Sequence, residues 1–223
     1  MKVKRKFKVI AIDGPAGSGK STTAKLVARK LGFLYLDTGA MYRALTYQVL
    51  RKKIEPTSSS EVVSLIEKTK LSVLSRPGTC RILLDGKDVS AGLRSQAVEE
   101  NVSAVSRHAA VRKRMVALQR AVARKGNLVI EGRDTTSVVF PDADLKVYLE
   151  ASLIERARRK AKIKRTLRLE KMELARRDRF DSTRKIAPLK KTKGSIVVDT
   201  TRLSIPQQVK RVLELYQNKV ELQ

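Results

Sequence analysis

The chain has 223 residues, 42% of them hydrophobic, with 4% aromatics and no Trp, enough for one large domain around an aliphatic core. Lys and Arg number 49 against 22 Asp and Glu, a formal net charge of +27, which fits anionic partners such as nucleotides, RNA or charged surfaces and equally fits a solvated basic surface. No apolar run approaches the roughly 18 residues of a membrane span, and a single Cys80 with a single His108 excludes an internal disulfide and a Cys/His zinc cage.

The N-terminus carries Lys2, Lys4, Arg5, Lys6 and Lys8 but lacks a signal peptide's longer apolar region and cleavage site. A reducing, cytoplasmic location is expected. Phe7 and Val9 to Ile12 form an apolar run with the character of a strand. Next comes Gly14-Pro15-Ala16-Gly17-Ser18-Gly19-Lys20-Ser21, followed by Thr22, and then Lys20 to Leu31 with apolar residues at helical spacing. Phe33 to Leu36 predicts a second strand, ending at Asp37-Thr38-Gly39, and Ala40 to Leu50 a helix. Glu55 to Ser60 has the composition of a linker, and Val62 to Lys68 reads as another helix. Leu71 to Leu74 and Arg81 to Leu84 predict strands about a Pro77-Gly78 turn. Asp85-Gly86 then signals a hairpin into Lys87 to Ser90. Residues 69–93 are therefore expected to form a small antiparallel insertion.

Val98 to Ala123 has helical period, with a break expected near His108. Asn127 to Ile130 is a buried-strand candidate leading into Glu131-Gly132-Arg133-Asp134, and Leu145 to Leu149 is another strand. One long basic helix is expected from Ala151, carrying Arg156, Arg158, Arg159, Lys160, Lys162, Lys164, Arg165 and Arg168. Ile196 to Val198 predicts the last strand and Ile205 to Val220 a closing amphipathic helix. Strands alternating with helices predict an α/β fold: a P-loop core with a parallel sheet flanked by helices.

The glycine run matches G-x-x-x-x-G-K-[ST] in its required setting, after a strand and opening a helix. Glycines let the backbone approach a phosphate, successive N–H groups form an anion cradle, and the helix N-terminus adds its positive end. The pattern predicts that Gly14 to Thr22 bind ATP, that Lys20 reaches the β- and γ-phosphates, and that Ser21 ligates Mg²⁺. Arg43, Arg133, Arg177 and Arg184 follow predicted strand ends or stand beside loops. Ligands of open α/β sheets bind at those ends, and guanidinium forks match phosphate oxygens. Convergent arginines would suit transfer between two phosphates, whose barrier is charge repulsion rather than proton removal. Position alone does not separate these arginines from surface cations.

Further segments carry a specific resemblance. Asp37-Thr38-Gly39-Ala40-Met41-Tyr42-Arg43, Glu131-Gly132-Arg133-Asp134, Val139-Phe140-Pro141-Asp142-Ala143 and Arg177 through Arg184 to Ala187-Pro188-Leu189 resemble the bacterial cytidylate kinases, in order and over nearly the whole chain. Shikimate kinases share a similar P-loop but have a second acidic residue where this chain has Gly39, and adenylate kinases differ in lid and acceptor motifs. The resemblance implies phosphoryl transfer from MgATP to CMP, and to dCMP, by a monomer. Thr38, Arg43, Arg133 and Arg184 would hold the CMP phosphate. Asp134, Ser103 and Arg112 would read cytosine, and Arg177 and Asp181 would contact the ribose. Lys20, Arg133, Arg156, Arg159 and Arg184 would be catalytic, with Arg156 and Arg159 in a lid over ATP. The resemblance divides a single 1–223 domain into a CMP-binding part at about 38–100 and a basic helical lid at about 153–184. The chain departs from the family pattern in three places: Thr136 where Gly is usual, Lys193-Gly194-Ser195 before the last strand, and a shorter, more basic 160–176 segment.

Two other readings remain at this point. One is a kinase for another small acceptor. The other is a nucleic-acid-associated protein using the P-loop as a switch, with weak sequence-independent RNA binding from its charge. Few aromatics and no RNA-binding fingerprint count against the second as the main function.

Overall fold

The computed structural model describes residues 6–161 and 167–221. Five parallel strands form the central sheet in the order β2, β6, β1, β7, β8. Their bounds are β1 Val9–Asp13, β2 Leu34–Asp37, β6 Leu128–Gly132, β7 Leu145–Glu150 and β8 Ile196–Asp199. Both faces are covered, so β1 and β6 are buried at every position, as their unbroken apolar sequences require. The strand period of two then divides the core. Val9 and Ala11 face α2 (Thr38–Arg51) and α5 (Ala109–Ala123). Ile10 and Ile12 face α1 (Lys20–Leu31) and α8 (Ile205–Glu221).

A second sheet of β3 (Leu71–Arg76), β4 (Thr79–Leu84) and β5 (Lys87–Asp88) is antiparallel. The helix α3 (Ser59–Lys68) precedes it, and a 3₁₀ turn at Ser90–Arg94 leads into α4 (Gln96–Val105). His108 marks the break between α4 and α5, and its Nε2 lies 2.9 Å from the Pro56 carbonyl. This ties the 55–58 segment to the break.

The structure corrects one expectation. The long helix from Ala151 is two helices, α6 (Leu153–Lys160) and α7 (Leu167–Thr183); Lys162, Lys164 and Arg165 lie outside the described residues. In one straight helix Ala157 and Leu174 would stand about 25 Å apart. Instead they share one buried cluster with Ala16 of the glycine loop, so apolar burial folds the segment back. The stretch after Asp134, given no element from sequence, forms a π-helical turn at Thr135–Val139.

Candidate active site

A crevice of about 580 Å³ opens at the carboxyl ends of β1, β2 and β6, where open α/β sheets place ligands. The glycine loop forms one side. Gly19 has φ +94°, and a Cβ there would come within 2.5 Å of Gln208 Oε1, so only glycine fits. Ala16, Gly17, Gly19, Lys20, Ser21 and Thr22 line the cavity, whereas Gly14, Pro15 and Ser18 lie behind it. Lys20 Nζ donates to the Pro15 carbonyl at 3.0 Å. Burial, then the charge of Arg133, pushes this ammonium below the usual lysine range. Bound polyphosphate would reverse that.

Ser21 Oγ donates to Glu131 Oε1 at 2.7 Å. Burial, then the nearby Asp37, raises the Glu131 carboxyl above its usual range. A hydroxyl and neighbouring carboxylates are hard oxygen donors, and Mg²⁺ commonly takes one or two protein oxygens together with substrate phosphates. The donor set therefore fits Mg²⁺. Among the described residues no group of three His, Cys, Asp or Glu gathers as a metal cage of its own.

The opposite side holds the arginines. Asp37 caps α2 by accepting from Ala40 N at 2.8 Å, and it also accepts from Arg43 Nη2 at 3.0 Å. Arg133 Nε donates to Asp181 Oδ2 at 2.8 Å. Burial would raise Asp181, but Arg133, Arg184 and Arg177 together hold the carboxyl below the usual range. Arg112 pairs with Asp134 and lies over the Tyr42 ring. Arg184 stands 3.8 Å from Asp134 and 3.9 Å from Asp181. Arg43 Nε and Arg184 Nη2 are buried with no hydrogen-bond partner among the described residues.

Thr38, Arg43, Ser103, Arg112, Arg133, Asp134, Arg177, Asp181 and Arg184 all line this cavity. Three expected site residues are engaged otherwise. The Thr38 hydroxyl donates to the Glu131 carbonyl at 2.8 Å and must turn to meet a phosphate. Arg156 does not line the cavity; its Nη1 braces the glycine loop at the Ala16 carbonyl and pairs with Asp178 at 2.6 Å. Arg159 lines the cavity but donates Nη2 to the Thr200 carbonyl at 2.5 Å.

Sequence reasoning missed four carboxylates. Asp13, fully buried, accepts from Thr135 N, Thr135 Oγ1, Thr136 N and Thr136 Oγ1 at 2.7–2.9 Å. It thereby pins the turn after Asp134 to the strand that feeds the glycine loop. Thr136, the departure from the family pattern, supplies two of those donors and accepts from Thr192 Oγ1 at 3.2 Å. Asp37 and Glu131 end strands, a signal that sequence reading used only for arginines. Glu99, which pairs with Arg177 at 2.6 Å and Arg43 at 3.8 Å, gave no such signal. Cys80 is half-buried, and burial pushes its thiol up to about 12.

A phosphate cradle facing an arginine-lined pocket across one crevice is the layout of a P-loop enzyme that moves a phosphoryl group between two anionic substrates. The family model described as cytidylate kinase matches residues 10–218. A cytidylate kinase of Geobacillus sp. (strain WCH70) is 44% identical over 95% of this chain and 97% of its own length. One from Desulfitobacterium hafniense (strain Y51) is 44% identical over 95% and 94%. Among solved structures, that of TT1252 from Thermus thermophilus covers 98% of this chain and 100% of its own, at 21% identity and a TM-score of 0.48. The chain belongs to the cytidylate kinase family, whose members are ATP-dependent nucleoside monophosphate kinases.

Proposed function

We propose that this chain transfers the γ-phosphoryl group of ATP to CMP, and to dCMP, within pyrimidine nucleotide metabolism, as a cytoplasmic monomer. No described helix is long and apolar enough to cross a membrane. The observation that carries the reading is the convergence of the glycine loop, the buried arginines and Asp134 on one cavity.

The loop N–H groups and Lys20 hold the donor phosphates. Ser21, with Glu131 beside it, would hold the Mg²⁺ that accompanies ATP, and that ion neutralises phosphate charge when bound. Arg43, Arg133 and Arg184 place the acceptor phosphate in line. Its second pKa is about 6, so it arrives as a nucleophile and needs no strong base. The same guanidinium groups offset repulsion between the two substrates and take up charge as it spreads in the transition state.

Asp134 accepts from the cytosine amine; a carboxylate offers about four lone-pair sites, so Arg112 leaves room for it. Ser103 and Arg112 read the other edge of the base, and Arg177 and Asp181 hold the ribose. We assign residues 38–100 to acceptor binding and 153–184 to the lid, with Arg156 and Arg159 changing partners when ATP binds. Coupled ADP-release kinetics over CMP, dCMP, UMP, AMP and shikimate test this. CMP with the highest kcat/KM is expected; a preference for UMP, AMP or shikimate refutes it.

A further inference from the structure

The crevice does not account for the net charge of +27. Arg43, Arg112, Arg133, Arg177 and Arg184 each meet a carboxylate there. The surplus lies on the outside, and the fold gathers part of it at the end of the sheet opposite the crevice. Strands of four or five residues put that end about 15 Å from the phosphate cradle.

Three connections converge there. The Pro77-Gly78 turn touches the start of β2 through a Leu34–Pro77 bridge. Gly78 also lies against α1, where an added Cβ would come 3.1 Å from Arg29 Cβ and 3.2 Å from the Lys25 carbonyl. The loop before β6 meets the same strand, Leu34 N donating to the Asn127 carbonyl at 2.8 Å. Lys8, at the start of β1, donates its N–H to Asn127 Oδ1 at 2.8 Å. Lys8, Arg29, Lys30, Arg76, Arg124 and Lys125 thus form a rim around the starts of β1, β2 and β6, and all but the half-buried Lys8 are exposed.

The acidic residues in the adjoining loop before β7 are Asp142 and Asp144, and Asp144 pairs with Lys8 at 3.4 Å. Helix α7 differs, because Glu170, Glu173, Asp178 and Asp181 interleave with its cations. Arg29, Lys30, Arg76, Arg124 and Lys125 pair with no carboxylate among the described residues, which sets the rim apart from the lid. An anionic bilayer would favour apolar side chains beside the cations. Of the exposed large apolar residues, Leu74 lies near Arg76 and Val220 stands at the end of α8, whereas Ile154, Leu167, Leu169, Met172, Ile186, Ile196 and Val197 belong to α6, α7, the loop after α7 and β8.

We propose that this rim docks a single strand of RNA through its phosphates, without sequence preference and without entering the crevice. Cations spread around a rim where three connections meet suit a flexible strand better than a rigid duplex. About four phosphate contacts would give a log–log salt slope near −3, so affinity should fall roughly fifty-fold between about 50 and about 200 mM salt.

The test is fluorescence anisotropy with a labelled mixed-sequence RNA of roughly 20 nucleotides, spanning several contacts. One variant combines Arg29→Glu, Lys30→Glu, Arg124→Glu and Lys125→Glu. A charge-matched control combines Lys68→Glu, Lys87→Glu, Arg202→Glu and Lys210→Glu, all exposed and away from the rim. The rim variant should lose at least tenfold in RNA affinity and flatten the salt slope, while kcat/KM for CMP stays at the parent value. The control should keep most of its RNA affinity. Some rim cations also favour the negative ends of α1 and α5, so RNA affinity is the readout, with a circular dichroism melt confirming folding. Equal losses in both variants, no binding at low salt, competition between RNA and CMP, or tighter binding to duplex DNA or phosphatidylserine vesicles would each overturn the proposal.

Discussion

Replacing Thr136 by Val tests how the two halves of the crevice are held together. The change is nearly isosteric but deletes the hydroxyl, and the site is 1% exposed. That hydroxyl donates to Asp13 at 2.7 Å and accepts from Thr192. A hydrogen bond to a charged group contributes about 1.5–3 kcal/mol, and Asp13, wholly buried, cannot replace it with water. The expected loss is about 2 kcal/mol, which for a domain of this size lowers Tm by about 4–8 °C. Thr136→Ser restores the donor and should recover most of it. A kinetic effect should accompany the loss, because the pinned turn directly follows Arg133 and Asp134: KM for CMP should rise several-fold more than KM for ATP. Urea and thermal unfolding of parent, Val and Ser variants measure the stability part, and initial rates the rest. A Val variant within about 0.5 kcal/mol of the parent, the range of an ordinary surface change, would refute the clamp.

Lys20→Ala should lower kcat by about 10²–10³-fold with Tm preserved, since the lost interaction strengthens as charge develops; near-parent turnover would remove the basis for the ATP assignment. Asp134→Asn should narrow the CMP/UMP ratio in kcat/KM by about tenfold or more, because an amide presents either a donor or an acceptor to the base. An unchanged ratio would place base reading elsewhere. Arg43→Ala and Arg184→Ala should each raise KM for CMP and lower kcat; an effect confined to ATP would contradict the proposed division of the crevice. Asp181 titrates below its unfolded value, so it contributes stability that is present above the ordinary aspartate range and lost as pH falls through its folded value. Asp181→Asn should therefore reduce the difference in Tm between pH 7 and pH 3, and an unaltered difference would mean that the Arg133 pair is not responsible.

Local chemistry was legible in the sequence because it is written in contiguous residues. Gly14 to Ser21 need only a strand before and a helix after them to become a phosphate cradle, and periodicity announces both elements. The buried strands, the hairpin turn at Asp85-Gly86 and the break near His108 are likewise local matters of pattern and turn chemistry. Tertiary structure decided what depends on distant partners. Whether Arg43, Arg133 and Arg184 were surface cations or site residues could not follow from position, since Arg133 and Arg184 are set by carboxylates far along the chain, and Arg43 meets the distant Glu99 as well as its near neighbour Asp37. Arg156 and Thr38 show the same dependence in reverse: their neighbours in space, the Ala16 and Glu131 carbonyls, give them other hydrogen bonds in this structure. The fold-back of α6 on α7 rests on burying Ala157 and Leu174 beside Ala16, a gain that helical periodicity does not register. Asp13 is the clearest case: it neighbours the glycine loop in sequence, yet its four donors lie more than a hundred residues away, and only the parallel pairing of β1 with β6 brings them to it.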